Sequence, residues 1–228
     1  MFYFRKIIIL LSLSLIITLP DSLQAAQEKP NIVYIMVDDM GYGDAGCYNP
    51  KSKIPTPNID SLANAGMRFT DAHSPGALCH PSRYGLLTGQ HPFRADVASW
   101  RTRPVIREGQ MTIASLLQSN GYRTAMVGKW GLGGRLPKDR YDVFNGFSGQ
   151  GRYYPKPDGQ GPHLTHRLGQ QVLDFLKTVD GKQPFLLQFY TKAAHCQDGD
   201  PWPFQPDHRY DDVLADTRYR LQYEAWQR

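Results

Sequence analysis

The run Asn31-Ile32-Val33-Tyr34-Ile35-Met36-Val37 constrains the fold most: it is apolar and β-branched, of the kind buried on both faces of a parallel sheet. Asp38 and Asp39 end it. Pro57 to Ala65 reads as a short helix stopped by Gly66, and Met67 to Ala72 as a strand. Thr112 to Asn120 reads as a helix terminated by Gly121, and Tyr122 to Val127 as the next strand. Leu164 to Val179 has helical apolar spacing, with Leu168, Val172, Phe175 and Leu176 on one face, and Phe185 to Tyr190 follows as a strand. Alternation of this kind predicts an α/β sandwich around a mostly parallel sheet.

With 228 residues the chain is long enough for one domain with a sizeable core. Its net charge of +5 is scattered. Arg101, Arg103 and Arg107 are the nearest thing to a basic cluster, a solvated face rather than a nucleic-acid surface. At the amino terminus, Arg5 and Lys6 precede an apolar run from Ile7 to Leu19, with Ala25 and Ala26 after it. This is the pattern of a secretory signal peptide over 1–25, and the run falls short of the about 20 apolar residues a membrane span needs. The expectation is a mature domain over 26–228, secreted or periplasmic, without stable membrane insertion after cleavage. Disulfides are permitted in such a compartment, so Cys47 and Cys196 are candidates to pair.

In open α/β sheets ligands gather outside the carboxyl ends of the strands, and three polar groups fall there. Adjacent carboxylates such as Asp38 and Asp39 repel unless a cation or donor sits between them, and hard oxygen ligands suit Ca²⁺ or Mg²⁺. The Gly41-Tyr42-Gly43-Asp44 that follows is a turn, with Asp44 holding it through backbone amides. Lys129, in Gly128-Lys129-Trp130-Gly131-Leu132-Gly133, stands at a strand end amid glycines, within reach of an oxyanion. His195 follows the strand Phe185 to Tyr190 and is of a type that donates to a substrate oxygen or protonates a leaving group.

Cys79 lies in Cys79-His80-Pro81-Ser82-Arg83, followed by Tyr84-Gly85-Leu86-Leu87-Thr88-Gly89. A lone cysteine is usually a small buried hydrophobe or half of a disulfide, and neither reading accounts for these neighbours. Only three residues separate it from Arg83, fewer than a phosphatase-like thiolate loop needs. Cys47, Cys79 and Cys196 form no zinc-type pair. Pro81 suits a first helical turn and Gly89 a helix end, so position 79 is expected at a positive helix terminus, where an anionic group is stabilised.

Taken in order, Val37-Asp38-Asp39-Met40-Gly41-Tyr42-Gly43-Asp44, Thr56-Pro57-Asn58-Ile59-Asp60, Gly66-Met67-Arg68-Phe69-Thr70-Asp71-Ala72, the cysteine motif and Gly128-Lys129-Trp130 resemble the type I, formylglycine-dependent sulfatases. The resemblance runs from about Pro30 to about Asp216 and is to the amino-terminal part of such enzymes. It implies an alkaline-phosphatase-like fold, incomplete at the carboxyl end, and hydrolysis of sulfate esters, with sulfated carbohydrate as a candidate substrate. Asp38 and Asp39, with formylglycine made from Cys79, would bind a divalent cation, Ca²⁺ or alternatively Mg²⁺. Arg83 would hold the modified residue, while Lys129 and His195 would contact sulfate. A sulfate-ester substrate and a formylglycine-generating enzyme are the implied partners. Many relatives carry a histidine where this chain has Gly131, so the role of that histidine is either unfilled or taken by another residue such as His73 or His163. They also carry an Asp-Asn or Asp-His pair and a further lysine beyond the residues present here. The alternatives are a phosphatase or phosphonate-ester hydrolase of the same superfamily, or a non-catalytic fragment.

Overall fold

A computed structural model describes residues 29–95, 105–156, 159–201 and 203–211. The chain divides into two units, 1–31 and 32–228; of the first, only Lys29, Pro30 and Asn31 are described, and the fold belongs to the second. The expected signal peptide, and Arg101 and Arg103, lie outside the described residues. No helix among the described residues is long and apolar enough to cross a membrane.

Among the described residues four strands form one sheet: β1 (Ile32–Asp38), β2 (Arg123–Lys129), β3 (Val143–Phe147) and β4 (Phe185–Ala194), in the order β1-β4-β2-β3. All three pairings are parallel. The helices are α1 (Pro57–Ala65), α2 (Cys79–Thr88), α3 (Ile113–Ser119) and α4 (Leu164–Lys177).

Strand periodicity sorts the core into two layers. Met126, Leu186 and Tyr190 meet Tyr84 and Leu87 of α2 and Ala114 of α3 on one face. Ala125, Val127, Phe185 and Leu187 meet Leu164, Leu168 and Phe175 of α4 on the other. Helices on both faces of a parallel sheet make the expected three-layer α/β sandwich.

Local chemistry sets the helix ends where the sequence placed them. Thr112 caps α3: its side chain accepts from the Ser115 amide while Ser115 Oγ accepts from the Thr112 amide. Gly89 closes α2 in the left-handed conformation, its amide donating to the Gly85 carbonyl. Asp44 holds its turn as expected, accepting from the Gly41 amide at 2.7 Å.

Three expectations need correction. β1 is not buried on both faces: Ile32 and Met36 pack on the first core, while Val33 and Ile35 are 50% and 53% exposed. The reason is position, since β1 is an outermost strand and α4 lies over β2 and β4 instead. Residues 67–72 form no strand; Met67 and Phe69 are exposed, with no neighbouring chain to complete their backbone hydrogen bonds in a ladder. β3 is a strand the sequence did not announce, because Asn145 and Gly146 interrupt its apolar run.

Candidate active site

The parallel sheet brings the ends of three adjacent strands together. Asp38 ends β1, Lys129 ends β2, and His195 follows β4, the strand between them. Asp38 also pairs in register with Ala194. The fourth contributor is α2, which starts at Cys79; Arg83 lies four residues on, so the two side chains share one helical face. Leu78 offers no side-chain cap, and the Ser82 amide closes the first turn of α2 on the Leu78 carbonyl.

Asp38 is the electrostatic centre. Its Oδ2 accepts from Lys129 Nζ at 2.5 Å and its Oδ1 lies 3.4 Å from Arg83 Nη2. All three side chains are 4% exposed or less. Two cations against one carboxylate leave this triad with an excess positive charge in a dry environment. Arg83 is fixed further by donating Nη1–H to the Lys129 carbonyl and by lying over the Tyr190 ring, 5.5 Å from its centroid. Arg83 Nε and Nη2 are buried without a hydrogen-bond partner among the described residues. Buried donors lacking a hydrogen-bond acceptor are of a kind that can serve an oxyanion.

His195 stands on the far side of Asp39, its Nε2 3.6 Å from Asp39 Oδ2. Its Nδ1 lies 2.7 Å from the Cys196 carbonyl, an acceptor, which makes Nδ1 the protonated nitrogen and leaves the Nε2 lone pair to the site. Asp39 is open, with its side chain 60% exposed and its φ at +59°. The structure thus brings Asp38, Arg83 and Lys129 into direct contact, pairs Asp39 with His195, and sets Cys79 one helical turn before Arg83.

Asp38 and Asp39 match a hard divalent cation in kind, as two adjacent carboxylates, one buried and one open. They supply only part of the six to eight oxygens that Ca²⁺ takes, roughly, in proteins. In this structure the charge of Asp38 is met by Lys129 and Arg83.

The two substitute histidines have partners of their own. His73 is exposed beside Asp71, and His163 caps α4 by accepting from the Thr165 amide while stacking on Tyr153. Gly131 has a physical reason of its own: a Cβ there would come within 2.7 Å of Arg83 Cδ, and its φ is +71°. A histidine in this backbone would displace the arginine. Cys47, Cys79 and Cys196 are all free thiols, so the expected Cys47–Cys196 pair is not formed.

Lys192 is a residue the sequence reading passed over. It is 1% exposed near the end of β4, its ammonium donating to the Cys196 carbonyl at 2.8 Å and lying over the Tyr153 ring. Burial first, and then the nearby Lys129 charge, pull its pKa below the usual lysine value. The available signal was a charged residue inside an otherwise apolar strand. Tyr190, beneath Arg83, gave no such signal, since a buried aromatic is ordinary core.

A family model described as Sulfatase matches residues 30–224. The chain is 45% identical over 122 residues to the N-acetylgalactosamine-6-O-sulfatase of Bacteroides thetaiotaomicron, a match covering 52% of this chain and 23% of that protein. It is 47% identical over 124 residues to human arylsulfatase A, covering 53% of this chain and 24% of that protein. Among solved structures, one of BT4656 in complex with its substrate D-glucosamine-2-N,6-O-disulfate superposes with a TM-score of 0.68 at 32% identity. That match covers 83% of this chain and 38% of the other. The matched stretches therefore span about a quarter of the two curated relatives.

Proposed function

The chain belongs to the sulfatase family, and we propose that it carries the nucleophile and anion-binding end of a site that hydrolyses sulfate esters, with position 79 as nucleophile. The observation that carries this is the buried Asp38–Lys129–Arg83 triad, whose arginine keeps Nε and Nη2 without a hydrogen bond and stands on the same helix as Cys79.

Each residue has a task that follows from its surroundings. Arg83 and Lys129 hold excess positive charge in a place that excludes water, where an oxyanion gains far more from them than in bulk solvent. Asp38 keeps both cations in place by charge and hydrogen bonding. Once converted to formylglycine and hydrated, position 79 supplies two hydroxyls on one carbon, one to attack sulfur and one to expel sulfate as the aldehyde returns. The helix terminus at that position favours the anionic form of the attacking group. His195, with Nδ1–H held by the Cys196 carbonyl, would first take up a proton at Nε2 and then pass it to the leaving oxygen. Asp38 and Asp39 would hold a divalent cation, Ca²⁺ or Mg²⁺, whose charge would lower the energy of the developing oxyanion.

Sulfated carbohydrate is the substrate class favoured by the likeness to hexosamine sulfatases. An extracytoplasmic location, with maturation by a formylglycine-generating enzyme, accompanies this reading.

The test is turnover of a simple aryl sulfate and the matching aryl phosphate after co-expression with a maturing enzyme. Sulfate release that disappears in Cys79→Ala and falls at least about a hundredfold in Lys129→Ala, as expected for loss of an oxyanion-stabilising group, supports the proposal. Preferential phosphate release would instead favour the phosphatase reading. Calcium-dependent thermal stabilisation without turnover of either ester would favour a non-catalytic role.

A further inference from the structure

Cys196 follows His195 directly, and Asp198 lies two residues beyond. The sequence pattern of paired cysteines did not disclose it, because the three ligand types are mixed. A ring nitrogen of His195, Sγ of Cys196 and a carboxylate oxygen of Asp198 all lie within 4.8 Å of one another. The Cys196 thiol already donates to Asp198 Oδ1 at 3.2 Å. Around a tetrahedral zinc ion, bonds of about 2.3 Å to sulfur and 2.0–2.1 Å to nitrogen or oxygen place ligand atoms roughly 3.3–3.8 Å apart. The 4.8 Å bound exceeds that spacing by no more than about 1.5 Å.

Access and chemistry agree with this. Asp198 is exposed, and His195 and Cys196 are half-buried, so an ion can reach the cluster from solvent. The neighbouring positive charge of Lys192 points at the Cys196 carbonyl and the Tyr153 ring. A thiolate, an imidazole and one carboxylate form a borderline-soft set, unlike the all-oxygen pair of Asp38 and Asp39.

We propose that His195, Cys196 and Asp198 form a second metal site, selective for a thiophilic divalent cation such as Zn²⁺, with water in the fourth position. Binding transfers the Cys196 proton to solvent as the metal–sulfur bond forms. Because His195 is shared, an occupied site withdraws that ring from the sulfate ester; this consequence rests on the function proposed above, whereas the binding itself does not.

The experiment is titration of Co²⁺ into the reduced full chain, followed by near-ultraviolet thiolate-to-cobalt absorption. The expected result is a band that saturates at one ion per chain, is displaced by Zn²⁺, and persists in Cys47→Ser and Cys79→Ser. It disappears in Cys196→Ser. Asp198→Asn, an exposed change that leaves the far-ultraviolet circular dichroism intact, weakens binding at least about tenfold, the loss expected even for an outer-shell partner. No band in the wild-type chain, or an undiminished band in Cys196→Ser, would overturn the site. Aryl-sulfate turnover unaffected by saturating Zn²⁺ in a chain that shows the band would overturn the coupling to His195. Absence of all turnover contradicts the sulfatase reading and leaves the binding result standing.

Discussion

Asp38 neutralises two cations that are as deeply buried as itself, and this makes it the residue whose loss should cost most. Asp38→Asn leaves Lys129 and Arg83 facing each other in a dry environment without a countercharge. The expected destabilisation is about 3–5 kcal/mol, the range for breaking a buried ion pair from one side, read as a lower urea midpoint at unchanged slope. Lys129→Met removes one of the two cations and should cost less, because Arg83 still faces the carboxylate. Gly131→Ala should lose about 1–2 kcal/mol from its left-handed backbone alone, with more from the displaced Arg83 side chain. Of the residues that meet in the buried triad, Asp38, Arg83 and Lys129 were legible because their charge stood out against an apolar strand or a helix start. Lys192 and Tyr190 were not, since only the folded sheet shows that Tyr190 lies under the Arg83 guanidinium and that Lys192 is buried near Lys129.

Helix α4 is tied to pH through its cap. His163 is buried, and that burial pulls its pKa below the usual histidine value despite the nearby Asp207 carboxylate. Its Nδ1 accepts from the Thr165 amide, a bond that only an unprotonated Nδ1 can make. A depressed folded pKa means the unfolded chain binds the proton more readily. The stability from His163 is therefore complete above the unfolded value of about 6.5 and is lost as pH falls below it. Urea midpoints at neutral and mildly acidic pH should show this fall, and His163→Asn, which can cap without titrating in this range, should flatten it. The helices were readable because periodicity and end signals agree at Thr112, Gly89 and Gly121. The 67–72 segment misled because its apolar residues resemble a strand, while strand formation requires a partner that local sequence does not supply.

For the molecule as a whole, the order β1-β4-β2-β3 places the three site-bearing strand ends side by side, and it also leaves β1 outermost. Alternation of strands and helices announced a parallel α/β sandwich, but strand order depends on long-range pairing, so the exposure of Val33 and Ile35 was not legible. An exposed apolar outer strand favours association with other chains. Ile35→Lys should accordingly raise the solubility of this chain while changing its stability by no more than about 0.5 kcal/mol, as for other surface changes; light scattering at matched concentration checks the first and denaturation the second. The central claim joins this architecture to chemistry at one position. Mass analysis of the peptide containing Cys79, taken from a preparation whose aryl-sulfate turnover is measured in parallel, tests it most directly. The expected result is a thiol replaced by an aldehyde, with activity rising in proportion to the modified fraction. Full activity in a preparation whose Cys79 is entirely unmodified would contradict it.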